Sequence, residues 1–462
     1  MGIKDLIDLI QFLQGYPSWV KTTFFISGVV LVILLVINGG LLLFVSKVPD
    51  GGSVQTLSQD KSVCTIDDAF GEDGYREIRT RDAAISGHAI VSMSDSLAIL
   101  SSEIDDQNTT RIRVDRLTKQ GAPDKNFGLG GVGFIRFELP MPLRANPERI
   151  TSLSDNSLLI TGTAFNDERH TASPFLTKVL KDGSLDPNFG NAGTLLLSAS
   201  GLSYGWDTVE ADDHLYTVSS QYGSNTLTIF TINLQNTKKP LQKKLVLPTK
   251  ANQMVWPSRI IKAFPEQNFY VMGKMNGGSS SNTQGFIAKI NNRSELVNHF
   301  GTSGIFLIRD KLTPPYLHNM TGIALSTDGG LIASGYGNEG FAIALDKNGN
   351  LKDTFGKSGS YTLRGIYRTD STSILVLPSR DLVSIGGMES DGNSNMNGFI
   401  AFIDLEGREI KCTDDNMLRL SDTGKSKAID LASVSDNSIY GLVQHGVMSE
   451  RSKWVSIVKT KL

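Results

Sequence analysis

Hydrophobic residues fall into three regimes along this 462-residue chain. Near its start, Ile3, Leu6, Ile7, Ile10 and Leu13 recur at helical spacing with Lys4, Asp5, Asp8 and Gln11 elsewhere, which predicts a short amphipathic helix within residues 1–21, ended by Gly15 and Pro17. From Thr22 to Val45 the chain is apolar and uncharged, long enough to cross a hydrocarbon layer of about 30 Å. A transmembrane helix acting as a signal anchor is therefore expected over 22–46, with Trp19 and Lys21 at one interface and Lys47 at the other. Residues 47–69, with Pro49, Gly51 and Gly52, read as a linker. From 70 to 462 the apolar residues come in short alternating runs bounded by Gly, Asp, Asn and Ser, the pattern of strands joined by tight turns.

Those turns repeat. DPNFGNAG at Asp186 to Gly193 returns as AFGEDG (Ala69 to Gly74), DKNFGLGG (Asp124 to Gly131), NHFGTSG (Asn298 to Gly304) and DTFGKSG (Asp353 to Gly359), at a period of about 55 to 60 residues that indicates a repeat architecture. A second set of turns, at Asp95, Asp155, Asp213, Gln267, Asp328, Arg380 and Asp436, counts seven units. Four strands fit in each, and the expectation is an all-β, seven-bladed β-propeller of four-stranded blades after one N-terminal transmembrane helix. In this frame the strand after each glycine turn is the first, innermost strand of its blade, and the ring closes without a swapped strand. Each Phe of the motif covers the gap between blades, so the turns are structural.

The segment KDGSLDPNFGNAG (Lys181 to Gly193), with STDGGLIASG (Ser326 to Gly335), resembles the delta-60 repeat family of bacterial proteins. The resemblance covers most of Phe70 to Leu462; it implies a β-propeller and carries no set of catalytic residues.

Composition narrows the chemistry. A formal net charge of −2 gives no long-range attraction to nucleic acid. The six histidines lack paired metal-ligand spacing; only His88 and His318, each ahead of a strand, share a position that could place them on one rim. No nucleophile-elbow or phosphate-loop motif stands in a suitable context, and no metal or cofactor is expected. Cys64 and Cys412 fall in connectors that are neighbours in a closed ring, and are either a disulfide or two free thiols.

One regularity exceeds what the turns require. Arg79, Arg136, Arg309, Arg364 and Arg419 each follow an apolar residue in the strand after a glycine turn, while Ser198 and Val246 or Leu247 hold that place in the other two units. On innermost strands these guanidiniums would ring the mouth of the channel and take a carboxylate or phosphate. Alternatively each pairs with a nearby acid such as Asp82, Glu138 or Asp310. The expected function is a binding or scaffold module anchored in a bacterial inner membrane, N-terminus cytoplasmic and propeller in the periplasm or outside, with a protein partner or an anionic ligand. The alternative is a hydrolase or lyase acting on an anionic substrate at the channel.

Overall fold

The computed structural model describes residues 30–37, 40–47 and 64–461, apart from 108, 141–142, 198–200, 248–252, 264–265, 278, 309–318, 366–367, 391, 393–394, 413–416, 421–424, 435–437 and 447–453. Two compact units result, Met1–Lys61 and Ser62–Leu462.

In the first unit, Val30–Ile37 and Gly40–Lys47 pair antiparallel with Ile37 opposite Gly40. This differs from the helix expected over 22–46, and no helix among the described residues is long and apolar enough to cross a membrane. The β-branched run VLVILLVI favours a strand, and Asn-Gly between two apolar runs is a strong hairpin signal. The amphipathic helix expected within 1–21 lies outside the described residues.

The second unit is a ring of seven blades, each an antiparallel sheet of four main strands. The inner strands are Ala83–Ser92, Leu143–Ser152, Ser203–Ala211, Met254–Ala263, Asn319–Leu325, Arg368–Leu377 and Ser426–Ser433, and each contacts the next in cyclic order, the last returning to the first. Second strands such as Ser96–Asp105 are almost wholly buried, because both faces of every blade are covered by its neighbours. The core is accordingly a set of seams. Leu100 and Ile112 of blade 1 meet Ile150 and Phe175 of blade 2, and Ile85 and Ile99 of blade 1 meet Tyr440 and Ile457 of blade 7.

The expected frame is one strand out. The strand after each glycine turn pairs with the third strand of the preceding blade and is that blade's outer edge. Phe134–Phe137 pairs with the strand Thr110–Thr118, and Thr194–Leu196 with Thr171–Val179. Most of these outer strands are only three to five residues long, as suits an edge. Tyr75–Arg79 then has no preceding blade to join. It pairs with Trp454–Lys461 and completes blade 7, so the ring closes with a swapped strand, contrary to the expectation. Thr65–Ile66 extends the same sheet, moving the start of the folded domain from Phe70 into the presumed linker. Cys64, just before it, is joined to Cys412 of blade 6 by a disulfide with Cα atoms 4.8 Å apart.

The glycine turns hold neighbouring blades together. Gly71, Gly128, Gly301 and Gly356 each donate their backbone N–H to a carbonyl in the turn of the next blade, from Gln120, Asp182, Asn348 and Glu406 at 2.7–3.1 Å. The Phe before each is buried; Phe70 meets Tyr440 across the closing seam at 5.5 Å. Gly356 has φ +54°, and a Cβ there would run into the Ser360 carbonyl oxygen. Gly356→Ala is expected to destabilise the ring by about 1–3 kcal/mol, read as a lower urea midpoint at unchanged slope.

Candidate functional site

In every inner strand the register against the second strand slips by one residue, at Gly87/Ala89, Pro147/Arg149, Gly205/Asp207, Pro257/Arg259, Met320/Gly322, Ser371/Ser373 and Ala428/Asp430. A β-bulge re-aims the side chains beside it. Here a sevenfold set makes two tiers around the axis: the extra residues, among them His88, Glu148, Trp206 and Ser258, and the residues that follow them. The bulge leaves little room on the strand beside it. A Cβ on Gly162 would meet the Asn146 carbonyl oxygen, and one on Gly335 the Asn319 carbonyl oxygen.

The second tier closes into one polar network across the channel. Asp430 of blade 7 accepts from Arg259 of blade 4 at 2.9 Å, from Arg149 of blade 2 at 3.4 Å and from Ser373 Oγ of blade 6 at 2.8 Å, while the backbone N–H of Ile90 adds a contact at 3.4 Å. Blades 4 and 7 are not neighbours, so the Arg259–Asp430 pair spans the axis. Asp207 of blade 3 accepts from the backbone N–H groups of Thr208 at 2.8 Å and Ile260 at 3.1 Å. A cavity of about 420 Å³ is lined by inner-strand residues of all seven blades, including Asp207, Arg259, Ser373 and Asp430.

Burial and charge set the protonation of this network. Burial alone would raise the Asp430 carboxyl, but Arg259 and Arg149 outweigh it and hold it below the usual carboxylate range. For Asp207 burial prevails over the same arginines and pushes it up. Burial, helped by Arg259, lowers Arg149 to about 10. His88, whose Nε2 lies 2.8 Å from Ser102 Oγ, is depressed to about 4 by burial and by Arg149 and is neutral near pH 7. Glu148, bonded by Asn146 Nδ2 at 2.6 Å, is pushed up to about 7 by burial, against the pull of Arg149. Two arginines and two aspartates offset one another on the axis, leaving a closed ion network rather than a ring of positive charge.

A different cavity, of about 580 Å³, opens between blades 3 and 5 on the side where the inner strands begin. Its wall is aromatic. Trp206 and Trp256 stand edge to face with centroids 5.8 Å apart, Tyr204 lies 5.5 Å and Tyr222 6.3 Å from Trp256, and Tyr336 closes the blade 5 side. The Trp206 indole N–H is held by Ser220 Oγ at 3.0 Å, while Tyr222 is 56% exposed at the rim. Two polar groups of the blade 4 second strand, Asn268–Gly277, face this wall. Lys274 sits directly across from Trp256 in the sheet and Asn276 across from Met254. Burial lowers the Lys274 amine below its ordinary range. Asn276 Oδ1 is buried with no hydrogen-bond donor among the described residues.

The arginines singled out in the sequence are not brought together. Arg79, Arg136 and Arg419 lie on outer strands, and Arg364 is exposed just after one; Arg309 lies outside the described residues. Arg79 pairs with Glu77 at 2.6 Å and stacks over Trp454, Arg136 pairs with Glu103 at 2.8 Å, and Arg419 pairs with Glu389. His318 also lies outside the described residues, so no shared rim with His88 is seen; among the described residues no group of three His, Cys, Asp or Glu could hold a metal ion. The axis arginines are instead Arg149 and Arg259. Their signal is a repeated Pro-x-Arg-Ile, at 147–150 and 257–260, in corresponding places of blades 2 and 4.

No family model matches the chain, and no curated protein does; the delta-60 resemblance rests on the quoted residues alone. Among solved structures the chain is similar to the polysaccharide lyase Uly1, at 10% identity over 85% of this chain and 92% of that one, with a TM-score of 0.46. A structure described as an ulvan lyase of a new polysaccharide lyase family shares 10% identity over 82% and 95%, with a TM-score of 0.47. The β-propeller domain of the trilobed protease from Pyrococcus furiosus, described as having an open velcro topology, shares 9% identity over 79% and 93%, with a TM-score of 0.41.

Proposed function

We propose that this chain is a membrane-tethered β-propeller that binds a ligand or partner without transforming it, and that the seat is the aromatic cavity between blades 3 and 5. The observation that carries the reading is the conjunction of an aromatic wall with two half-buried polar side chains that line it, Lys274 and Asn276, the latter with a buried Oδ1 that has no partner among the described residues. Most buried polar groups are satisfied by the protein itself, as the axis network is; of the few buried side-chain atoms without a partner among the described residues, Asn276 Oδ1 is the one that lines this cavity. The tether is the uncharged segment from Thr22 to Val45. Its length and lack of charge are what support a membrane tether in this reading. The Cys64–Cys412 disulfide suits a domain on the oxidising side of a bacterial inner membrane.

A second reading, a hydrolase or lyase using the channel, is favoured by one observation: Glu148, its carboxyl pushed up to about 7, adjoins Arg149, whose guanidinium also reaches the His88 carbonyl. A group titrating there has the protonation needed for acid–base work.

One experiment addresses both. The full-length protein, recovered from membranes in detergent, is screened against a metabolite and glycan library by thermal shift, in parallel with Trp256→Ala, and hits are assayed for product by mass spectrometry. The expected result is a hit that raises the wild-type melting temperature, fails to raise that of Trp256→Ala and is recovered unchanged. A hit that shifts both proteins equally overturns the seat. Product formation lost in Glu148→Gln establishes the second reading, and recovery without detergent removes the tether.

A further inference from the structure

Resting on the seat proposed above, we infer that the aromatic cavity between blades 3 and 5 takes an acidic saccharide, its anionic group on Lys274 and a hydroxyl on Asn276.

Three requirements of the cavity define this class together. The wall of Trp206, Trp256 and Tyr336 needs a ligand with an apolar face. Lys274 carries three donors and no acceptor, so it needs an anion or a strong acceptor. Asn276 Oδ1 is an acceptor with no donor among the described residues, so the same ligand must also present an O–H or N–H. Lys274 and Asn276 are alternate residues of one strand, with side chains on the same face about 7 Å apart along it. A pyranose satisfies all three within that span. Its C–H face covers an indole, its hydroxyls donate to the amide, and an acid group one bond off the ring reaches the amine. An aromatic carboxylate meets the first two requirements and leaves Asn276 orphaned. A neutral sugar leaves the amine in a partly desolvated site without a counter-charge.

The surroundings support an extended chain rather than one isolated sugar. Tyr222 projects at the rim and is mostly solvent-exposed, and Tyr204 continues the aromatic row from Trp256 to Phe165 of blade 2, over which the Arg144 guanidinium stacks at 4.7 Å. Arg144 is paired with the exposed Asp167 at 3.4 Å, so the track beyond Trp256 offers a polymer aromatic stacking with a partly neutralised cation at its end. Carboxylate and sulfate share the chemistry that Lys274 reads, since an ammonium is a point charge without the planar fork of a guanidinium.

The test is binding by the full-length protein in detergent, followed by tryptophan fluorescence and calorimetry, with oligogalacturonate (carboxylate), sulfated galactan oligosaccharides (sulfate) and cello-oligosaccharides (neutral). Wild type, Lys274→Gln, Asn276→Leu and Trp256→Ala are compared after circular dichroism melts have shown each to be folded. At least one acidic oligosaccharide is expected to quench tryptophan emission, to bind at least tenfold more tightly than the neutral one and to weaken as salt is raised. Lys274→Gln is expected to erase the preference for acid while leaving weak neutral binding, and Trp256→Ala to abolish both. The ratio of oligogalacturonate to sulfated galactan affinity tells which anion is read. Equal binding of acidic and neutral sugars, or unchanged acidic binding in Lys274→Gln, overturns the inference. If no saccharide binds but another library ligand shows Trp256-dependent binding, the acidic-saccharide class fails and the seat stands; if nothing binds in a Trp256-dependent way, both fall.

Discussion

Replacing Asp430 by alanine is expected to lower the unfolding free energy by about 3–5 kcal/mol, since removing one partner of a buried ion network leaves the others charged and unpaired. Arg259, Arg149 and Ser373 all converge on this one carboxylate from blades 4, 2 and 6. The substitution thus leaves two guanidiniums on the axis with Asp207 as their remaining carboxyl neighbour, instead of deleting a single contact. Urea unfolding followed by circular dichroism measures it as a fall in midpoint at constant slope. Replacing the arginines too, in Asp430→Ala with Arg149→Met and Arg259→Met, is expected to recover much of the loss, because it removes the uncompensated charge. A single-variant loss under about 1 kcal/mol would mean that the axis is wet enough to solvate both arginines. The pH dependence has a definite sign. Asp430 is held below its unfolded value of about 3.9, so its contribution is complete above that value and disappears as pH falls through the folded one.

Reduction of the Cys64–Cys412 bridge is expected to cost the propeller about 2–5 kcal/mol. The two cysteines are 348 residues apart, so the bond restrains nearly the whole domain in the unfolded state, where a chain-entropy treatment gives its largest values. The bridge also holds Cys64 against blade 6 just before Thr65–Ile66 and Tyr75–Arg79 enter blade 7. Without it, ring closure depends on those strands, on Asp67 with Lys459 and Lys461 at 3.2 and 2.9 Å, and on the apolar seam. Thermal melts with and without a phosphine reductant, with the double variant Cys64→Ser, Cys412→Ser as control, measure the effect. Coincident melts would show that strand pairing alone secures the ring.

Blade number and turn chemistry were legible because glycine turns and Asx turns are local. Asp182, Asp346 and Asp404 each cap their own loops within four residues, and such contacts leave a mark at fixed spacing. The blade frame was not legible in the same way. Phe134–Phe137 lies in sequence between the strands Thr110–Thr118 and Leu143–Ser152, and only pairing shows that it belongs to the former. Every unit of the sequence frame already held four strands, so the swapped closure shows only in the pairing of Tyr75–Arg79 with Trp454–Lys461. Misplacing that frame put the outer-strand arginines on the axis, while Arg149 and Arg259 stood in the repeated Pro-x-Arg-Ile. The bulges could not be read at all, because an extra residue in a strand looks like any other residue until its partner strand is known. The aromatic seat draws on three blades, with Trp206, Trp256 and Tyr336 far apart in the chain and no motif linking them.

The closure in blade 7 imposes a delay on the newly made chain. At a synthesis rate of about 5–20 residues per second, Cys64 emerges roughly 20–70 s before Cys412, and Tyr75–Arg79 waits longer still for Trp454–Lys461. For that interval a free thiol and an unpaired strand edge are both open to the wrong partner. Synthesis order thus makes the first-made segment of the propeller the last to be fixed.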